Sequence, residues 1–233
     1  TGADLVLLAV PVKATHACFE AIAPALNPNA LLMDVGSTKS DIVASALSTL
    51  GDKLHCFVPV HPIAGKEVAG VEHSDADLYQ DRALILTPMS SSGTTQVELA
   101  KQVWKSLGSY LTELTPAAHD AAFAAVSHLP HVLSYAIIRG IFQQSNGADL
   151  IALGGPGFRD FSRIAASDPV VWRDILTTNR EQVLLQISHF KDALNDFEQA
   201  IQLNNPQALE DMIRQASDLR FNWRMGANKP SEE

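Results

Sequence analysis

The chain has 233 residues, of which 46% are hydrophobic and 18% charged, a composition typical of a soluble globular protein with one or two domains. Its formal net charge of -9 argues against nucleic acids and anionic membranes as partners. The two cysteines, Cys18 and Cys56, are too few for a disulfide framework and favour a reducing cytoplasm. Because no apolar run approaches the roughly 20 residues that span a bilayer, and no basic segment opens the chain, we expect neither a membrane span nor a signal peptide.

The first half of the sequence alternates apolar strand-like runs with amphipathic helical patterns. The predicted strands are residues 4–10, 30–35, 54–60, 83–88 and 109–114. Between the second and third strands, Ser37 or Thr38 is placed to cap a helix, and Gly108 is placed to end the helix before the last strand. Strands that alternate with helices over short loops predict a doubly wound, Rossmann-like α/β sheet.

The second half is predicted to be all-helical. Thr115, Asp168 and Asn205 each precede a proline and so form a polar cap followed by proline at the first helical position. We therefore place the domain boundary near residue 115, with an α/β domain over 1–115 and a helical domain over 116–233. A seam of apolar residues at helical spacing runs along the longest helix: Val183, Ile187, Phe190, Leu194, Phe197 and Ile201. The apolar segment 132–142 is expected to lie inside a bundle or a subunit interface.

Two loops at predicted strand ends carry candidate catalytic groups. Ser37 follows the second strand in the segment "DVGSTKSD", and His61 follows the third strand in "HPIAGKE". If both strands belong to one parallel sheet, the two side chains face the same crevice, where open α/β sheets bind ligands. A serine within hydrogen-bond reach of a histidine can orient a base. The alternative is structural: a capping serine in a turn and a hydrogen-bonded histidine at a strand end.

Two further segments lie in the helical half. His128 and His131 are three residues apart around Pro130, a spacing that suits metal ligation, but no cysteine or acidic pair completes a site and we predict no metal. The glycine-rich segment 154–169 delivers Arg159 and Arg163, which are suited to binding a carboxylate. Ordinary ion pairs with neighbouring aspartates are the structural alternative.

Taken together, these segments resemble the prephenate (cyclohexadienyl) dehydrogenase family of tyrosine biosynthesis. The resemblance extends over essentially the whole chain and rests on an ordered set of motifs. They are "DLVLLAVPV", "DVGSTKSDI", "HPIAGKEVAGVEHSDADLY", "ILTP", "SHLPHVLSYA" and "GGPGFRDFSRIAASDPVVWRDI". The resemblance implies a dinucleotide-binding domain followed by a helical domain that forms a homodimer. It also implies oxidative decarboxylation of prephenate to 4-hydroxyphenylpyruvate with NAD or NADP, of which NAD is favoured.

The resemblance also implies roles for individual residues. His61 is expected to be the base that accepts the substrate's hydroxyl proton, and Ser37 to orient it and touch the nicotinamide. The expected substrate-binding residues are Arg163, His131, Glu67, Trp172 and His119. Val10, Pro11 and Gly36 are expected to line the cofactor side together with Ser37.

The family's G-x-G-x-x-G loop precedes the strand with which this sequence opens. We therefore expect the first βαβ units of the α/β domain to be missing from these 233 residues. Three alternatives remain: an arogenate dehydrogenase, another Rossmann-plus-helical hydroxyacid dehydrogenase, and a non-catalytic dimerising fragment. The hydroxyacid dehydrogenases use a lysine of the helical domain, for which only Lys191 and Lys229 are available here, neither in a motif.

Overall fold

The computed structural model describes residues 2–65 and 71–224. Six strands and ten α-helices follow one another in these ranges. The strands are β1 (Leu5–Leu8), β2 (Leu31–Asp34), β3 (Phe57–Val58), β4 (Val60–Pro62), β5 (Ala83–Leu86) and β6 (Tyr110–Glu113). The helices of the first half are α1 (Thr15–Ile22), α2 (Ser40–Thr49) and α3 (Thr94–Ser106). The helices of the second half are α4 (Pro116–Phe123), α5 (Leu129–Phe142), α6 (Gly147–Ala152), α7 (Pro156–Ser162), α8 (Pro169–Thr178), α9 (Arg180–Gln202) and α10 (Pro206–Asn222).

The strands form two three-stranded sheets that meet at Pro59. The strands β1, β2 and β3 are parallel, and β5 is parallel to β6, but β4 is antiparallel to β5. The α/β architecture is thus confirmed, while the third predicted strand, 54–60, is wrong in detail. Residues 51–56 form a 3₁₀ turn, and a short strand on either side of Pro59 replaces a single long one. Proline lacks the N–H that a continuous ladder needs. As a result, His61 lies within β4 rather than after it.

The first domain buries apolar residues on both faces of its sheet. On one face, α1 and α2 pack through Phe19 and Ile42 onto a cluster that includes Leu32. On the opposite face, Trp104 of α3 packs against a second cluster that includes Met33. Alternate residues of β2 therefore point to opposite faces, as strand geometry requires, and the strand is buried along its whole length.

Several predicted helix ends are confirmed. The side chains of Thr115, Asp168 and Asn205 each accept a backbone N–H in the first turn of α4, α8 and α10. Gly108 follows α3 with φ +81°, a left-handed conformation that glycine adopts without a steric penalty. The predicted Ser37 or Thr38 cap is wrong, because α2 begins at Ser40 and no side chain of its own segment caps it.

Helices α4 and α5 are joined by a π-helical turn over 124–128, so the chain is helical from Pro116 to Phe142. Leu129 donates its N–H to the carbonyl of Ala124 in this turn, and the widened ladder accommodates Pro130, which has no N–H to donate.

By length and mean hydropathy alone, helix 116–142 would be able to cross a membrane, a test that core helices of soluble proteins also pass. Three of its polar residues, His119, Asp120 and His128, are buried, and each is hydrogen-bonded within the protein. Apolar residues of the predicted interface segment remain exposed in a single chain, with Phe142 64% exposed. This segment is therefore not buried inside a bundle within the single chain. Its burial in a subunit interface remains a prediction.

Candidate active site

His61 is held by a second histidine across the boundary between the two domains. Its Nδ1 lies 2.8 Å from Nε2 of His119, which is the fourth residue of α4 and is completely buried. The ring of Phe123, one turn further along α4, packs against both imidazoles, with centroid distances of 5.0 Å to His61 and 4.5 Å to His119. The helical domain thus supplies the direct partner of the predicted base.

Asp120 continues this hydrogen-bonded chain. Its Oδ1 lies 2.9 Å from Nδ1 of His119 and accepts the backbone N–H of Lys39 at 2.8 Å. Its Oδ2 accepts the backbone N–H of Ser40, also at 2.8 Å. A carboxylate from α4 therefore caps the start of α2, where the unpaired N–H groups and the helix dipole favour negative charge.

A buried ion pair lies next to this cap. The ammonium of Lys39 is completely buried and donates to Oδ2 of Asp34, the last residue of β2. The same carboxylate accepts the backbone N–H of Gly36 at 2.8 Å and that of Val60, next to His61, at 3.3 Å. Buried charges of this kind are tolerated only when they are paired and hydrogen-bonded. The pair ties the end of β2 to the strand that carries the base.

Burial keeps the histidines of this cluster neutral near pH 7. Burial, and then the positive charge of Lys39, hold the pKa of His61 well below its ordinary value of 6.5. The pKa of His119 is also lowered, because burial outweighs the opposing hydrogen bond to Asp120. For Asp120, burial by itself raises the pKa, but the hydrogen bonds from His119 and from the start of α2 outweigh it and lower the pKa. The arrangement is therefore a neutral imidazole backed by an ionised carboxylate.

Ser37 lies in a neighbouring pocket rather than on His61. Its side chain makes no hydrogen bond to another residue among those that the structure describes, and the Nδ1 partner of His61 is His119. With Val10, Pro11 and Gly36, Ser37 lines a cavity of about 100 Å³ at the carboxyl ends of β1 and β2. The four residues predicted for the cofactor side are thus brought together.

The cavity of Ser37 is closed from the side of the helical domain. Val171, Asp174 and Ile175 of α8 complete its wall. A pocket at the carboxyl ends of parallel strands, between two domains, fits the nicotinamide end of a dinucleotide. The pyrophosphate-binding sequence G-x-G-x-x-G does not occur in the 233 residues.

The two histidines of "SHLPH" have different environments. His131 stacks on Trp172 of α8 with a centroid distance of 3.5 Å, and its Nδ1 lies 2.9 Å from the carbonyl of Ser127. His128 is buried against Asn179, whose Nδ2 lies 3.2 Å from its Nδ1. Among the described residues, no group of three or more histidine, cysteine or acidic side chains is arranged to hold a metal ion.

Trp172 forms one side of a larger, mainly apolar cavity. This cavity has a volume of about 520 Å³ and is lined by residues of α5, α8 and the 163–166 turn, with Tyr135 and Arg173 among them. Arg163 is the first residue of that turn. Arg159, its neighbour on α7, is exposed and pairs with Asp160 at 2.9 Å. The predicted site residue Glu67 lies outside the described residues.

Sequence reasoning did not identify Asp34, Lys39, Asp120 or Asn179 as parts of the site. Asp120 carries a usable signal, since it is the only charged residue between positions 116 and 138. A lone carboxylate in an apolar helix must be paired when it is buried. Asn179 donates to the backbone carbonyl of Asp120 at 2.8 Å from 59 residues away, and no local pattern indicates this contact.

Two family models match the chain, one for each half. Residues 1–113 match the prephenate dehydrogenase nucleotide-binding domain, and residues 115–215 match the prephenate dehydrogenase dimerization domain. A cyclohexadienyl dehydrogenase of Zymomonas mobilis is 33% identical over 223 residues, which cover 94% of this chain and 75% of that protein.

Solved structures give the same result. Prephenate dehydrogenase from Aquifex aeolicus, in complex with hydroxyphenyl propionate and NAD+, is similar with a TM-score of 0.88 and 35% identity. The alignment covers 94% of this chain and 76% of the Aquifex chain. Synechocystis arogenate dehydrogenase is similar with a TM-score of 0.82 and 26% identity, over 96% of this chain and 80% of that chain. With a nucleotide-binding half, a helical half and a histidine between them, this chain belongs to the prephenate dehydrogenase family.

Proposed function

We propose that this protein catalyses the NAD-dependent oxidative decarboxylation of prephenate to 4-hydroxyphenylpyruvate, with His61 as the base. The observation that carries the proposal is the position of His61 at the domain boundary. Its ring is neutral because burial and Lys39 lower its pKa, and among the described residues its hydrogen bond is made through Nδ1. A neutral imidazole with a second nitrogen available is what acceptance of a hydroxyl proton requires.

The substrate is a cyclohexadiene that bears a ring hydroxyl, a ring carboxylate and a side-chain keto acid. Nε2 of His61 takes the proton of the hydroxyl, while the ring carbon that bears this hydroxyl loses a hydride and becomes a carbonyl carbon. The C–C bond to the ring carboxylate then breaks and CO₂ leaves. The electron pair of that bond makes the ring aromatic and turns the carbonyl into a phenolate oxygen, which takes the proton back from His61 to give the phenol. Bound NAD supplies the acceptor for the hydride.

The remaining site residues bind and orient. Arg163 holds a substrate carboxylate by charge-assisted hydrogen bonds, which suits the planar guanidinium. His131, fixed by its stacking on Trp172, contacts the substrate from the helical domain. The resemblance to the family also gives Glu67 a role in substrate binding. Val10, Pro11, Gly36 and Ser37 hold the nicotinamide end of the cofactor, and the cavity that they share supports this assignment.

Arogenate is the second candidate substrate, since it differs from prephenate only by an amino group in place of the side-chain keto group. The similarity to the Synechocystis arogenate dehydrogenase favours this candidate. His131 favours prephenate. Burial lowers the pKa of this imidazole and keeps it neutral, so it does not form the ion pair with the ammonium of arogenate that a carboxylate would form.

The test is a steady-state assay of reduced-nicotinamide formation with prephenate and with arogenate, each with NAD and with NADP. The Zymomonas cyclohexadienyl dehydrogenase serves as the positive control. We expect the highest kcat/KM with prephenate and NAD. A higher kcat/KM with arogenate would make the protein an arogenate dehydrogenase. Absence of turnover with all four combinations, in a folded sample, would refute the enzymatic proposal and favour a dimerising fragment.

We also propose that the protein is a cytoplasmic homodimer, joined through the helical domain. Many large apolar side chains of its helices and loops are more than half exposed, among them Phe142, Leu153, Leu194, Ile201, Leu203, Ile213, Leu219 and Phe221. Exposed apolar surface on this scale is typical of protein–protein interfaces. Light scattering coupled to gel filtration should give twice the chain mass, and a monomer at micromolar concentration would contradict the proposal.

A further inference from the structure

We infer that Asp120 is a positioning residue that acts through His119 to keep the proton of neutral His61 on Nδ1, leaving Nε2 free to accept the substrate's proton. The inference rests on the proposed function of His61 as the base. It adds the groups that decide which ring nitrogen of the base is available.

The direction of each hydrogen bond follows from the carboxylate at the end of the chain. An ionised carboxylate only accepts hydrogen bonds, so Nδ1 of His119, 2.9 Å from Oδ1 of Asp120, must carry the proton. A neutral imidazole has one N–H, and Nε2 of His119 is therefore an acceptor. Nδ1 of His61, 2.8 Å away, must then be the donor. Neutral His61 is left with an unprotonated Nε2.

The carboxylate is itself held rigidly by the start of α2. Two backbone N–H groups, from Lys39 and Ser40, bond to its two oxygens at 2.8 Å. Asn179 binds the backbone carbonyl of Asp120 at 2.8 Å and fixes this turn of α4 from a third direction. His119 is completely buried and Asp120 is 5% exposed, so these bonds are largely shielded from solvent. The orientation of the base thus depends on contacts from both domains.

The same chain stabilises His61 after it takes up the proton. His61 then carries an N–H on both ring nitrogens, its Nδ1–H still points to His119, and the positive charge is balanced by Asp120 one imidazole away. No proton has to move between His61, His119 and Asp120. Four charged or titratable groups surround His61 and His119. Lys39 opposes protonation of both histidines, and His128 opposes protonation of His61. Asp120 and Asp34 favour protonation of His119.

The first experiment measures the tautomer directly in the wild-type protein. Ring ¹⁵N shifts are recorded at pH 7.5 with histidine labelled on both ring nitrogens, and the His61 signals are assigned from the His61→Asn spectrum. We expect the proton of His61 on Nδ1 and the proton of His119 on Nδ1. A proton on Nε2 of His61 in the neutral ring would overturn the inference. This measurement needs no turnover, so it is decided independently of whether prephenate is the substrate.

The second experiment substitutes the carboxylate. Asp120→Asn retains the size of the side chain but replaces one of its two oxygens with an NH₂ group. That NH₂ group faces either Nδ1 of His119 and the N–H of Lys39, or the N–H of Ser40. Where the amide donates to His119, the tautomer of both rings is reversed and Nε2 of His61 is protonated. We expect kcat to fall by about 10²-fold or more with KM changed little, together with a new Nε2–H signal of His61.

Asp52→Asn, which removes an exposed carboxylate of the α/β domain, is the matched control and should change neither kcat nor the ring shifts. If Asp120→Asn folds, shows the Nε2–H signal of His61 and still retains wild-type kcat, the positioning role is refuted. If the variant does not fold, or keeps the wild-type tautomer because its amide oxygen faces His119, the wild-type ring shifts still decide the inference.

Discussion

Lys39 donates its backbone N–H to the carboxylate of Asp120 at 2.8 Å, although the two residues are 81 positions apart and lie in different domains. The contact joins the start of α2 to the first helix of the helical domain. Asp120 is hydrogen-bonded to His119, and His119 is hydrogen-bonded to His61. The base of the proposed reaction is thus built at an interdomain contact. A change in how the domains pack would alter the base as well as the width of the cleft.

Replacing His61 with asparagine should abolish turnover, because the amide cannot accept the hydroxyl proton at neutral pH. We expect kcat to fall by about 10²- to 10⁴-fold. Cofactor affinity, measured by fluorescence titration, should remain nearly unchanged, since the cofactor pocket is lined by other residues. Loss of NAD binding in His61→Asn would contradict the assigned role.

Replacing Arg163 with glutamine should mainly raise KM for prephenate. A charge-assisted contact with a substrate carboxylate persists through the reaction, so its loss weakens the ground state and the transition state alike. Arg159→Gln is the matched control, because Arg159 lies four residues earlier and pairs on the surface with Asp160. An unaltered KM in Arg163→Gln, or an equal rise in the control, would remove Arg163 from the site.

The pH dependence of kcat/KM should report the lowered pKa of His61. Only the neutral ring accepts a proton, so activity should fall with decreasing pH only well below pH 6.5. Lys39→Gln removes a positive charge that disfavours the protonated ring, so the fall should begin at a higher pH. Lys39→Arg retains the charge, and Lys101→Gln removes one at the surface. Neither should move the profile as far, and an unchanged profile in Lys39→Gln would contradict the electrostatic argument.

His128 should make the fold sensitive to acid. Burial, the largest effect, lowers the pKa of His128 from 6.5 to about 4, so between these values the unfolded state binds the proton and the folded state does not. The free energy of unfolding therefore falls as the pH drops, by about 2 kcal/mol between pH 7.5 and 5 from this group.

Urea unfolding at pH 7.5 and pH 5 measures the acid sensitivity from His128. His128→Gln, which leaves an amide to pair with Asn179, should lose less stability over this interval than the wild type. His16→Gln, at an exposed position, is the control. An identical loss in His128→Gln and in the wild type would show that His128 does not titrate as stated.

The sequence by itself determined the architecture and the candidate positions. Period-two and helical patterns are local, and so are the polar cap and proline that begin α4, α8 and α10, which is why these features were predicted and then confirmed. The candidate site residues came from loops and motifs that can be recognised along the chain. Their catalytic and binding roles remain predictions until the substitutions are measured.

Only the tertiary structure decided what surrounds His61. Pro59 divides the predicted strand, so His61 enters an antiparallel pair with β5, and its partner is His119 rather than Ser37. The cap of α2 comes from Asp120 and not from Ser37 or Thr38. These contacts join residues tens of positions apart. The burial and the pairing of charges depend on which surfaces pack together in three dimensions, and local sequence patterns do not contain this information.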